Sequence, residues 1–206
     1  MAIRAVIFDI GNVLLRWQPE LYYDALIGAA RRREMFAEVD LHGMNERIDA
    51  GEDFRGVVYD TAEAHPRWAE QIRHWHDNWP ELAAPEIPES GKTLLALRRK
   101  GVPVFALSNI GEATMALAEA AYPVLRQFDR RYVSGLMGVT KPDPRIYEMV
   151  EADCGLAPET LLFTDDRAEN IAAAAARGWQ THLFEGPEGW AACLRAHGLL
   201  SEGDDR

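Results

Sequence analysis

The chain has 206 residues, 48% of them hydrophobic, and a formal charge of −11. That length buries a sizeable core, as one domain or one and a part. The acidic balance repels nucleic acid and anionic membrane surfaces, so neither is expected as a partner, and an anionic substrate would need a local source of positive charge.

In chain order, Ala5–Phe8 is short, apolar and β-rich, as expected of a strand covered on both faces. Similar runs recur at Val102–Leu107, Thr160–Thr164 and Gln180–Phe184, with a weaker one at Arg131–Ser134. Helical patterns separate them: Gly91 to Gly101, "GEATMALAEAAY", "DPRIYEMVEADCG" and "AENIAAAAARG". Asp143 and Pro144 suit an N-cap and first helical position, and Gly178 suits a C-cap. Alternation of this kind predicts an α/β fold, a doubly wound parallel sheet with helices on both faces. Between Gln18 and Pro85 no buried strand is evident. That stretch is rich in Trp, His, Arg and Glu, with breaks near Gly43, Gly51, Pro66 and Pro80, and reads as an inserted helical segment. "AAPEIPES" (Ala83–Ser90) reads as the return linker, and the acidic tail "SEGDDR" as frayed.

No apolar stretch approaches the ~20 residues that span a bilayer. The N-terminal apolar run is broken by Arg4 and Asp9 and no small-residue cleavage site follows it. Cys154 and Cys193 lie far apart, without metal-ligand spacing, and read as reduced thiols. The expectation is a soluble, cytoplasmic protein. Its oligomeric state is not legible in the sequence.

Four features fall where strand gives way to loop: Asp9; Ser108 and Asn109 in "ALSN"; Lys141 in "GVTKPDP"; and Asp165 and Asp166 in "LLFTDDRAEN". In a doubly wound sheet, ligands bind outside the carboxyl ends of the strands, so these residues would converge. Three carboxylates at one edge repel unless a cation joins them. Oxygen donors without thiols or paired histidines favour magnesium. Lys141 adds the positive charge that an acidic chain otherwise lacks. Ser108 and Asn109 can donate to phosphoryl oxygens, and an aspartate can accept a phosphoryl group covalently.

The set "FDIGN", "LSN", "KPDP" and "FTDDRAEN", in this order, resembles the haloacid dehalogenase superfamily, or HAD hydrolases, over nearly the whole chain. The resemblance implies a Rossmann-like core over residues 1–16 and 86–206 and an α-helical cap over 17–85. It implies Asp9 as nucleophile, Ser108 as phosphoryl ligand with Asn109 beside it, and Lys141 steadying both. Asp166 would be a direct magnesium ligand, Asp165 a direct or water-mediated one, and the Gly11 carbonyl another. Asn12 is a further candidate at the first motif. Asn170, one helical turn beyond Asp166, could return to the site. The implied reaction is hydrolysis of a small phosphorylated metabolite through an aspartyl-phosphate, with cap closure excluding bulk water.

One position departs from the pattern. Most phosphatases of this superfamily carry a second aspartate two residues after the nucleophile, as general acid and base; here that residue is Gly11. Such catalysis is worth about 10²–10⁴-fold. The proton could come from another group, such as one in the cap; the substrate could have a good leaving group; or the reaction could be dehalogenation. The intact Asp165–Asp166 pair favours a phosphatase, since a metal-free dehalogenase gains nothing from more anions near Asp9. Some bacterial sugar-phosphate phosphatases share the glycine. A catalytically inactive phosphate-binding relative, or a receiver-type domain, is the alternative outside enzymes.

Within the inserted segment, "LHGMNERIDAGED" (Leu41–Asp53) is the functional candidate. His42, Asn45, Glu46 and Arg47 could select substrate, and His42 or Glu46 could replace the missing acid. His74 and His76, two apart on a helix, cannot chelate together. Trp68, Ile72, Trp75 and Trp79 fall at helical spacing and read as an apolar stripe.

Overall fold

Ala5, Val6, Ile7 and Phe8 carry no polar side chain because both faces of their strand are covered, and all four are fully buried. In the computed structural model, which describes residues 2–204, this strand is the centre of a five-stranded, all-parallel sheet. The strands are β1 (Ala5–Phe8), β2 (Val104–Ser108), β3 (Arg130–Val133), β4 (Leu161–Asp165) and β5 (Gln180–Leu183), in the order β3-β2-β1-β4-β5. The order reverses at β1, as a doubly wound sheet requires. Phe8 pairs with Ala106 on one side and Thr164 on the other, so β1, β2 and β4 end level with one another.

Between β1 and the rest of the sheet the chain is helical: α1 (Pro19–Ile27), α2 (Ala29–Glu38), α3 (Leu41–Asp49), α4 (Phe54–Ala64), α5 (Ala69–Asp77) and the single turn α6 (Trp79–Leu82). The sheet-associated helices follow: α7 (Pro88–Arg99), α8 (Glu112–Ala121), the single turn α9 (Ser134–Met137), α10 (Pro144–Cys154), α11 (Ala168–Ala176) and α12 (Pro187–Ala196). Alternation along β1 divides the core. Val6 and Phe8 face a cluster with Leu94, Leu97, Met115, Trp190 and Leu194 from α7, α8 and α12. Ala5 and Ile7 face Ile146, Tyr147 and Val150 of α10 and Ala174 of α11.

The first cluster continues without a break into the inserted helices through Val13, Leu14 and Leu15. Trp68, Ile72, Trp75 and Trp79 are buried within it, as their spacing implies. His74 and His76 turn to different partners, the Tyr22 hydroxyl and Asp77. The outgoing and returning chains are stitched together by Arg16 N–H to Pro85 O, Gln18 N–H to Leu82 O and Ile87 N–H to Leu14 O.

Several boundaries differ from the sequence expectation. Strand β2 begins at Val104, because Pro103 has no N–H for the ladder, and it extends to Ser108. Helix α7 starts at Pro88, three residues before Gly91, with Pro at a first-turn position where a missing N–H costs nothing. Strand β4 starts at Leu161, and β5 ends at Leu183 and is only partly buried because it lies at the sheet edge. Strand β3 starts at Arg130, and Ser134 already belongs to α9. Asp143 caps α10 by accepting from Arg145 N–H, and Gly178, at φ +92, follows α11. The tail is tied down rather than frayed as far as Asp204, which pairs with Lys100 at 2.6 Å; residues 205 and 206 lie outside the described residues. Both cysteines are free. Among the described residues no helix is long and apolar enough to cross a membrane.

Candidate active site

Asp9 is the first residue beyond β1, and its N–H still donates to Thr164 O at 2.9 Å. This extends the ladder and holds the Asp9 carboxylate against the end of β4. Asp165 is the last residue of that strand and Ser108 the last of β2, so the level strand ends bring all three to one edge. Lys141 arrives from the loop after α9. It is buried, and its ammonium meets Asp165 Oδ2 at 2.6 Å, Asp9 Oδ1 at 2.9 Å and Leu107 O at 2.8 Å. Burial alone would lower the Lys141 pKa, but the charges of Asp9 and Asp165 outweigh it and hold the ammonium above the ordinary lysine value. Burial pushes the Asp9 carboxyl up to about 6; the Lys141 charge opposes that rise and Asp165 adds to it.

Each remaining motif residue has a defined post. Asn109 clamps the Lys141 backbone, donating through Nδ2 to Lys141 O and accepting at Oδ1 from Lys141 N–H, at 2.9 and 2.7 Å. Its visible work is to hold the lysine loop, whereas the sequence placed it beside the phosphoryl group. Asn170 does return to the site, but to Asp165 rather than Asp166: Nδ2 reaches both Asp165 oxygens at 3.0 Å. Asp165 also accepts from Arg167 N–H. Fully buried and held on both oxygens, Asp165 orients Lys141 and does not open onto the cleft. Asp166 does open onto it, with its pKa raised by burial. Asn12, at φ +53, sits in the left-handed region that short amide side chains tolerate. There it donates to Asp166 Oδ2 and accepts from Trp17 N–H, linking the first and last motifs. Asp9, Asp165 and Asp166 each offer one carboxylate oxygen within 4.8 Å of the others.

Asp9, Asn12, Ser108, Lys141 and Asp166 line a cleft of about 440 Å³. Its opposite wall comes from α3. His42, Asn45, Glu46 and Asp49 all line it, while Arg47 does not: it turns outward to pair with Glu52 at 2.6 Å. His42 is largely exposed and pairs with Glu20 at 3.0 Å. Asp49 is a residue the sequence reading passed over. Its spacing held the signal, since positions 42, 45, 46 and 49 follow the i, i+3, i+4, i+7 pattern of one helix face. The Asp49 carboxyl is raised well above its usual value, first by burial, then by the charges of Asp9 and Glu46.

The end of α3 is seated closely on the sheet loops, bridged by one buried hydroxyl. Ser134 Oγ donates to Asp49 O at 2.5 Å and accepts from Ile110 N–H at 2.9 Å. A Cβ at Gly51 would lie 2.6 Å from Gly135 O, one at Gly111 would lie 2.9 Å from Ile48 O, and one at Gly135 would lie 2.9 Å from Gly111 Cα. Gly51 also has φ +109, so glycine is required there twice over.

A buried acidic cluster with one lysine at the strand ends, beside a wall of inserted helices, matches a known class of enzyme. The haloacid dehalogenase-like hydrolase family model matches residues 3–178, and the chain belongs to that family. The chain is 24% identical over 200 residues to the D-ribitol-5-phosphate phosphatase of Bacteroides thetaiotaomicron, covering 91% of this chain and 95% of that protein. It is 26% identical over 188 residues to the sesquiterpene phosphatase astK of Aspergillus oryzae, covering 85% and 86%. Other relatives are much longer: the match covers 10% of mouse acyl-CoA dehydrogenase family member 10 and 34% of the drimenol cyclase drtB of Aspergillus calidoustus. Among solved structures, the HAD family enzyme bt-2542 of Bacteroides thetaiotaomicron, in complex with magnesium and inorganic phosphate, superposes with a TM-score of 0.70 at 23% identity, over 94% of this chain and all of that one. The L-2-haloacid dehalogenase of Xanthobacter autotrophicus reaches 0.61 at 19% identity, over 97% and 85%.

Proposed function

We propose that the protein is a magnesium-dependent phosphatase acting on a small phosphate monoester, with a sugar or polyol phosphate as the substrate class. The observation that carries this reading is the charge of the cleft floor. Three carboxylates lie within 4.8 Å of one another with a single buried ammonium among them. That leaves an excess of negative charge where an anionic substrate must arrive, and a divalent cation resolves it. The oxygen-only donor set fits magnesium. Asp9, Asp166 and the Gly11 carbonyl would hold the ion, with Asp165 behind them. Bound there, it would neutralise phosphoryl oxygens as Asp9 approaches.

The remaining chemistry belongs to the chain. Lys141 keeps Asp9 ionised and adds positive charge beside the phosphoryl group. Ser108 donates to a phosphoryl oxygen. Asp9 Oδ attacks phosphorus, the alcohol leaves, and water then cleaves the aspartyl-phosphate. The inserted helices over 17–85 serve as the cap that selects the substrate, the remainder forming the catalytic core. The polyol reading draws on the full-length relative that acts on D-ribitol 5-phosphate and on the polar wall of His42, Asn45 and Glu46. Phosphate release from a panel of phosphorylated sugars and polyols, with and without magnesium, tests it. Magnesium-dependent release is expected. Halide release from chloropropionate, with no phosphate from any substrate, would overturn it.

A further inference from the structure

Gly11 leaves this site without the usual proton donor beside the nucleophile. We propose that Asp49, at the end of α3, supplies the proton to the departing alcohol and later takes one from the attacking water. This deepens the phosphatase reading and rests on it.

The geometry is that of a positioned acid. Asp49 is partly buried and lines the same cleft as Asp9, whose charge it feels. Its Oδ2 accepts from Asn45 Nδ2 at 2.8 Å, and Asn45 Oδ1 accepts in turn from the indole of buried Trp75 at 3.1 Å. The indole can only donate, which fixes the Asn45 amide with its NH₂ toward Asp49. Oδ2 is therefore held as an acceptor, and the carboxyl is fixed in orientation from the side of its own helix. The backbone of Asp49 is held by Ser134 and the glycine seam, so the carboxyl stands at a set place over the strand ends. The charged groups facing it are Asp9 and Lys141 from the sheet side and Glu46 on its own helix; burial and the two carboxylates favour its neutral form, and Lys141 and the Gly111 N–H oppose them. His42 is a poorer candidate, being mostly exposed and paired outward with Glu20.

The steps balance. Asp9 Oδ bonds to phosphorus as the ester P–O bond breaks, and the Asp49 proton passes to the alkoxide, leaving neutral alcohol and an Asp49 carboxylate. Water then attacks the aspartyl-phosphate and gives Asp49 one proton. The P–Oδ bond breaks, releasing phosphate and restoring both aspartates.

The test is a leaving-group comparison under saturating magnesium. A polyol phosphate needs a proton on its alkoxide, whereas dinitrophenyl phosphate releases a phenolate that does not. Asp49→Asn should lower kcat on the polyol phosphate by roughly 10²–10⁴-fold and on dinitrophenyl phosphate by less than about tenfold. A Cβ at Gly11 meets no atom within 4 Å, so Gly11→Asp placed in the Asp49→Asn protein should recover much of the lost rate. Equal losses on both substrates, or no loss on the polyol phosphate, would overturn the assignment. Should Asp49→Asn not fold, the native enzyme decides: an alkaline fall in kcat on the polyol phosphate, missing with dinitrophenyl phosphate, is expected, and identical profiles would overturn it. A native enzyme that releases phosphate from neither substrate would instead refute the phosphatase reading itself.

Discussion

Replacing Lys141 with methionine tests the electrostatic design of the cleft floor. The side chain is buried, and its ammonium touches Asp9, Asp165 and the Leu107 carbonyl within 2.9 Å. Methionine keeps the apolar stem but leaves two buried carboxylates without a counter-charge. Breaking such a pair from one side costs about 3–5 kcal/mol. For a chain of this size, that lowers Tm by about 6–20 °C. The pH dependence follows from Asp9, whose folded pKa, about 6, already lies above its ordinary 3.8. Loss of Lys141 raises it further. A carboxyl raised in the folded state destabilises when ionised, so the penalty is full above the folded pKa and fades as pH falls toward about 4. Thermal unfolding of both proteins, without divalent cations, at pH 8 and pH 5 checks this. A difference below about 1 kcal/mol at pH 8, or one that grows on acidification, would refute the reasoning.

Three further outcomes are expected. Asp9→Asn removes the proposed nucleophile while keeping the side-chain shape, and phosphate release should fall to background with magnesium present; full activity in a steady-state assay would discard the mechanism. If magnesium binds through Asp9 as proposed, it displaces the Asp9 proton, so its Kd by calorimetry should rise up to about tenfold per pH unit below about pH 6 and level off above it. Gly51→Ala forces a methyl group against Gly135 O and strains a left-handed residue, a cost of about 1–3 kcal/mol or more. Its unfolding midpoint should drop, and the polyol phosphate should lose kcat because Asp49 shifts with the helix end.

How much of this was legible in the sequence depended on what each residue answers to. Strands β1, β2 and β4 were visible because burial on both faces leaves only apolar side chains, so Asp9, Ser108 and Asp165 stood out as polar residues at apolar run ends. Strand β5, half covered at the sheet edge, was read too long because nothing in "THLF" marks where pairing stops. The posts of Asn109 and Asn170 were hidden, since an amide serves a ligand or a backbone equally well and only the loop path decides. Asp49 was hidden differently. It lies one step along a helical face already half recognised, and Arg47, two positions before it, took its place by proximity in sequence rather than in space.

The glycine seam between Gly51, Gly111 and Gly135 has a mechanical consequence. A side chain on any of the three would have to push backbone aside, so the fit of the α3 end against the sheet loops is set by residues chosen for what they lack. The distance from Asp49 to Asp9 is therefore held by atoms common to every amino acid, and one added methyl group at Gly51 is enough to disturb it.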